Sequence, residues 1–167
     1  MIVTKILPIL ISSIVNFWNP STGPAVTNGV YMRAYESIQQ SGLPPNSVLQ
    51  IDSTNPDVKA WTVVQNVTFE AVEPEERWVV PFTGSTGIAI ANPSDSQTVI
   101  TFVFIQTGHT RIETITLAPK VSVSFFPSYI FRNGILLEDG AVIIRADEPI
   151  GVWAAECTDI CTGVPVY

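Results

Sequence analysis

Three runs, Trp78-Val79-Val80-Pro81-Phe82, Thr86-Gly87-Ile88-Ala89-Ile90-Ala91-Asn92-Pro93 and Thr98-Val99-Ile100-Thr101-Phe102-Val103-Phe104-Ile105, open the part of the chain that decides its fold. They are short, rich in β-branched and aromatic residues, and separated by Gly, Pro, Asn and Ser. The pattern continues through Arg111 to Pro119, Val121 to Phe126, Ala141 to Arg145 and Pro149 to Ala155. Strand-like runs that recur about every ten residues with turn signals between them predict an antiparallel β-sandwich or jelly roll of about eight strands, not a parallel α/β sheet.

One of these runs is unusual. Val99, Thr101, Val103 and Ile105 alternate to one side of the strand and Ile100, Phe102 and Phe104 to the other. Both sides are largely apolar, whereas a sandwich strand with one wet face alternates cleanly. The second side is expected to meet the N-terminal segment, a helix or another chain.

Towards the N-terminus, 58–70 reads as a strand holding Trp61, and 52–57 (Asp-Ser-Thr-Asn-Pro-Asp) as a turn. One short helix is expected over 28–40, with Asn28 as N-cap, Tyr31, Ala34, Tyr35 and Ile38 at helical spacing, and Gly42 as the stop. The same residues also fit a strand read by alternation. Before them, Lys5 precedes an apolar run too short to span a bilayer. It has the outline of a secretory signal ending at Gly23-Pro24-Ala25, but Pro8 interrupts its centre. If retained, the run must be buried, because exposed it would aggregate. The expected organisation is therefore an apolar N-terminal arm or strand over 1–27, carrying Ile6, Leu7, Ile9, Leu10, Ile11, Ile14, Val15, Phe17 and Trp18, followed by one sandwich domain over 28–167.

Composition narrows the role. The chain has 167 residues, 46% apolar and only 14% charged, with a net charge of −7. An acidic surface without a Lys/Arg cluster disfavours nucleic acid and anionic membranes. The low charge is that of a chain that hides surface against partners, or of a large sandwich. Cys157 and Cys161 either close a small loop as a disulfide or remain two thiols. A zinc site would need two further ligands, and His109 is the sole histidine.

Candidate sites are sparse. His109, in Thr107-Gly108-His109-Thr110, reads as a hairpin turn, with no nucleophile or orienting acid indicated by spacing. Glu138-Asp139 and Asp147-Glu148 flank one strand and lie too far apart for acid/base work. The oxygen-rich 52–57 turn lacks the spacing of an EF-hand loop. Asn66-Val67-Thr68 matches a glycosylation sequon but falls inside an expected strand. Trp61, Trp78, Trp153, Phe102, Phe104, Phe125 and Phe126 are expected in the core, with a carbohydrate platform as the other reading.

From Thr86-Gly87-Ile88-Ala89-Ile90-Ala91-Asn92-Pro93-Ser94, through Ile115-Thr116-Leu117-Ala118-Pro119-Lys120 and Val123-Ser124-Phe125-Phe126, to 140–152, the chain resembles a β-sandwich repeat of secreted bacterial proteins. The resemblance spans about residues 78–155. It departs at Lys120, where the repeat has Gly, and in occurring once. It implies a non-catalytic display or adhesion role and carries over no active-site residue.

The expected function is that of a non-catalytic structural subunit without cofactor or metal, which assembles with copies of itself or a related protein as a virion coat or surface filament. The alternative is a secreted or cell-surface binding module with a cleaved signal.

Overall fold

A computed structural model describes residues 1–10, 14–64, 66–130 and 139–167 of the chain. The fold is all-β and antiparallel, with fifteen strands and one helical turn, α1 (Pro127–Ile130), among these residues. Its strands fall into two units, each built around its own buried cluster.

The first unit holds two sheets. In sheet A, β1 (Val3–Ile9) pairs with β6 (Ser47–Ser53), which continues to β3 (Ala25–Thr27) and β4 (Val30–Met32). In sheet B the order is β5 (Ser37–Gln40), β2 (Val15–Trp18), β7 (Lys59–Val64), β8 (Val67–Glu70). Leu7, Ile9 and Ile51 of sheet A share one buried core with Val15, Phe17, Ala60 and Phe69 of sheet B.

The second unit repeats this plan. β14 (Gly140–Cys157) runs through both of its sheets. Its first half lies in sheet C between β9 (Glu75–Phe82) and β11 (Thr98–Gln106), with β12 (His109–Leu117) at the edge. Its second half lies in sheet D between β10 (Thr86–Ala91) and β15 (Cys161–Val164), with β13 (Ser122–Phe125) beyond β10. The register shifts between Arg145 and Ile150, where the strand passes from one sheet to the other around Pro149. Sheet C thus has the strand order of sheet A, and sheet D that of sheet B, with β14 standing for β6 and β7 joined. The plan read once in the sequence is present twice.

Matched details support the pairing of the units. Asn19 and Asn92 each follow the second strand of their unit, and both are fully buried. Each opens an Asn-Pro-Ser turn, its side-chain oxygen accepting from the backbone N–H of Ser21 or Ser94. Each donates through Nδ2 to carbonyls at the end of the fourth strand or just past it, Arg33 in one case and Leu117 and Ala118 in the other. Ile6 exchanges backbone bonds with Val72 as Val79 does with Tyr167. Tyr35 and Lys120 both sit at φ 56°, the left-handed region that favours glycine. The departure at Lys120 thus falls where the backbone wants Gly.

Several expectations need correction. No helix forms over 28–40. Asn28 and Gly29 have φ of 48° and 75°, the two-residue hairpin geometry that Asn-Gly prefers, so they join β3 to β4 in place of capping a helix. The 58–70 run is a hairpin, with the exposed Asn66 at its turn at φ 67°, not inside a strand. Residues 141–145 and 149–155 belong to one strand.

The boundary after residue 27 falls inside the first unit. Of the two readings of 1–27, arm or strand, its described residues take the second: β1 pairs along its length with β6, and β2 sits between β5 and β7. Ile6, Leu7, Ile9 and Val15 are fully buried and Phe17 nearly so, each contributing on the order of 1.5–3 kcal/mol through removal from water. Leu10 is half-buried, while Ile14 and Trp18 are exposed. Ile11 lies outside the described residues.

Candidate functional site

Sheet D is covered on both sides. Ile88, Ile90, Val152 and Ala154 face the core shared with sheet C. Ala89, Ala91, Trp153 and Ala155 alternate to the other side and join the core of the first unit. This seam between the units is close. A Cβ on Gly151 would fall inside the indole of Trp153 and the δ-methyl of Ile6. The Trp153 indole N–H donates to the Glu70 carbonyl across the seam at 2.7 Å. On the β1 side the seam buries Ile6 and Pro8, which stand on the outer face of sheet A.

Among the described residues, sheet C is covered on one side only. Trp78, Val80, Phe82, Ile100, Phe102, Phe104, Val142 and Ile144 point into the second core. On the other side the register aligns Val79, Ile143, Val103 and Ile112 in one row across four strands. The next row is Pro81, Ala141, Ile105 and Thr110, and the row on the other side Arg77, Arg145, Thr101 and Thr114. Ile112 is 64% exposed, Ile105 43% and Val99 39%. Neither the N-terminal segment nor any other described element lies on this face.

The outer face of sheet B is also open among the described residues. Gln39, Asn16, Trp61 and Glu70 form one row and Ser37, Trp18 and Lys59 the next. Trp18 and Val63 are exposed, and Trp61 is half-buried.

The residues considered for chemistry do not converge. His109 begins β12 opposite Gln106, with Gly108 at φ 80° in the turn. Asp147 and Glu148 sit where β14 changes sheets, and the Glu148 N–H donates to Thr98 Oγ1. Glu138 lies outside the described residues. Two side-chain oxygens of the 52–57 turn are engaged within the chain: Asp52 accepts from Thr4 Oγ1 at 2.6 Å, and Asn55 Oδ1 accepts from the Asp57 N–H. No group of three or more His, Cys, Asp or Glu among the described residues is placed to hold a metal ion. Of the aromatics, Trp78, Trp153, Phe102 and Phe104 are core residues. Trp61 and Phe125 are half-buried, and Phe126 is exposed. They form no common platform.

Cys157 and Cys161 are joined as a disulfide across the β14–β15 hairpin. Beside it is a cleft of about 470 Å³ lined by Leu10, Phe69, Ala89 and Phe126, with no charged side chain among its lining. No helix among the described residues is long and apolar enough to cross a membrane.

The open faces were not announced by any motif. The signal available in sequence was the two-sided apolar character of 98–106, which located sheet C's outer face but not its extent.

No family model matches the chain. No curated protein matches it either. Among solved structures, it is similar to an Anabaena sensory rhodopsin transducer at 12% identity and a TM-score of 0.46, over 52% of this chain and 92% of that one.

Proposed function

We propose that this protein is a non-catalytic structural subunit that assembles with copies of itself, as a virion coat protein or a surface filament subunit. The observation that carries this reading is the open row Val79–Ile143–Val103–Ile112 on sheet C. Exposed apolar side chains scattered singly are ordinary, but a contiguous apolar sheet face marks an interaction surface. The low charged fraction agrees with a surface spent on contacts.

The test replaces Ile105 and Ile112 by Asp, singly and together. Both side chains point away from the core, so the fold is retained. The expected result is a full-length protein that assembles and a double variant that stays monomeric in light scattering. Assembly of the double variant like the parent would remove this face from the function.

A second reading, a secreted or cell-surface binding module, draws on the Cys157–Cys161 disulfide, which suits an oxidising compartment. In it, the sheet C face would take a different partner and the isolated chain would remain monomeric.

A further inference from the structure

We propose that the occupant of sheet C's open face is the outer face of sheet B from a second copy of the chain, so that the molecules join head to tail. This rests on the self-assembly reading above and names the partner surface that it lacks.

The seam inside the molecule is heterologous. The outer side of sheet A, at Ile6 and Pro8, meets the outer side of sheet D, at Ala89, Gly151 and Trp153. Sheet C is the counterpart of sheet A, and sheet B the counterpart of sheet D. One complementary half of such a seam therefore stands open at each end of the chain: sheet C on the second unit and sheet B on the first. The exposures follow this division. Pro8 is buried by the second unit, while Pro81, at the same point of the repeated plan, is exposed. Trp153 is buried in the seam, while its counterpart Trp61 stands on the open face of sheet B beside Trp18 and Val63. Tryptophans in the middle of an otherwise polar face are the usual anchors of an interface.

The two seams differ in depth. Where the internal one has Ala91 and Gly151, the open face has Trp18 and Lys59. The sheets of two molecules therefore stand further apart than the two units of one molecule. Sheet C answers with Val103 and Ile112, beyond the β1-like edge strand, giving the indoles apolar surface to cover. Charge agrees. Arg77 and Arg145 lie opposite one another on the face of sheet C, and neither forms an ion pair among the described residues. Like charges directly opposite on a sheet are unfavourable. Glu70, exposed in the Trp61 row of sheet B and also without an ion pair, supplies a carboxylate.

A heterologous junction propagates: it closes into a ring if its rotation allows and otherwise grows as an open filament. Mixing of two full-length variants tests the junction. One carries Trp18→Ser and Trp61→Ser on sheet B; the other carries Ile105→Asp and Ile112→Asp on sheet C. Each alone is expected to be monomeric. An equimolar mixture is expected to give a heterodimer of two chains and nothing larger, because it contains one intact sheet B face and one intact sheet C face. Circular dichroism confirms that each variant is folded. Val63→Lys replaces the tryptophan pair if that variant is not. If the sheet B variant assembles as the parent does while the sheet C variant does not, the junction is isologous and this proposal falls, with self-assembly intact. A parent protein that is monomeric at all concentrations overturns the proposal together with the self-assembly reading.

Discussion

The indole N–H of Trp153 donates to the carbonyl of Glu70 at 2.7 Å, tying the last sheet of the second unit to the last strand of the first. The bond sits within a seam of small residues, Ala89, Ala91 and Gly151, that lets sheet D approach β1. Replacement of Trp153 by Phe removes the bond and keeps most of the ring. It should cost on the order of 1–3 kcal/mol, since the carbonyl is left without its partner. Trp153→Ala should cost about 3–5 kcal/mol by adding a cavity. Urea unfolding of the two variants measures both values.

Gly151 has no room for a side chain. Gly151→Ala places a methyl against Ile6 and the Trp153 ring, on strands held by their ladders. The expected loss is about 1–3 kcal/mol, the range of overpacking. Gly151→Ala combined with Ile6→Val should recover part of it, and a thermal melt of the double variant checks the coupling.

Asn19 and Asn92 are the matched polar anchors of the two units. Each is buried, and each satisfies several backbone groups. Alanine at either position strands carbonyls and should destabilise by roughly 2–4 kcal/mol. Because the two sites lie in different units without shared partners, their effects should add, which denaturant midpoints of the single and double variants can show.

Deletion of residues 1–18 removes β1 and β2, the latter from the middle of sheet B. The shortened chain should be insoluble or unfolded when expressed, not a folded sandwich that has merely lost an arm. A cooperative melt from the deletion variant would contradict this placement of the N-terminal segment.

Much of the second unit was legible in its sequence because its strands are long and its turns carry Asn-Pro, Ala-Pro or Gly. The runs at 78–82, 86–91, 98–105 and 111–117 lie within observed strands. The first unit was not legible in the same way. Its strands run to only three or four residues in five cases, too short for period-two alternation to show. Asn28-Gly29 carried a hairpin signal, but the spacing of Tyr31, Tyr35 and Ile38 imitates a helix face. The duplication left a trace in Pro8 followed by Asn19-Pro20-Ser21 and Pro81 followed by Asn92-Pro93-Ser94 at identical spacing. So little identity is visible only once both units are seen. The apolar run of 6–11 left arm and strand both open because a strand wedged between two units is buried on both sides, as Ile6 and Leu7 are, and such a strand does not alternate.

The open face of sheet C, as an interface between copies of this chain, makes the protein's mass depend on its concentration. Sedimentation velocity of the full-length protein over a range of concentrations addresses it most directly. The expected result is a series of species at multiples of the 18.2 kDa chain mass that grows with concentration, or one large closed particle. A sharp boundary at the mass of one chain throughout the range would contradict it.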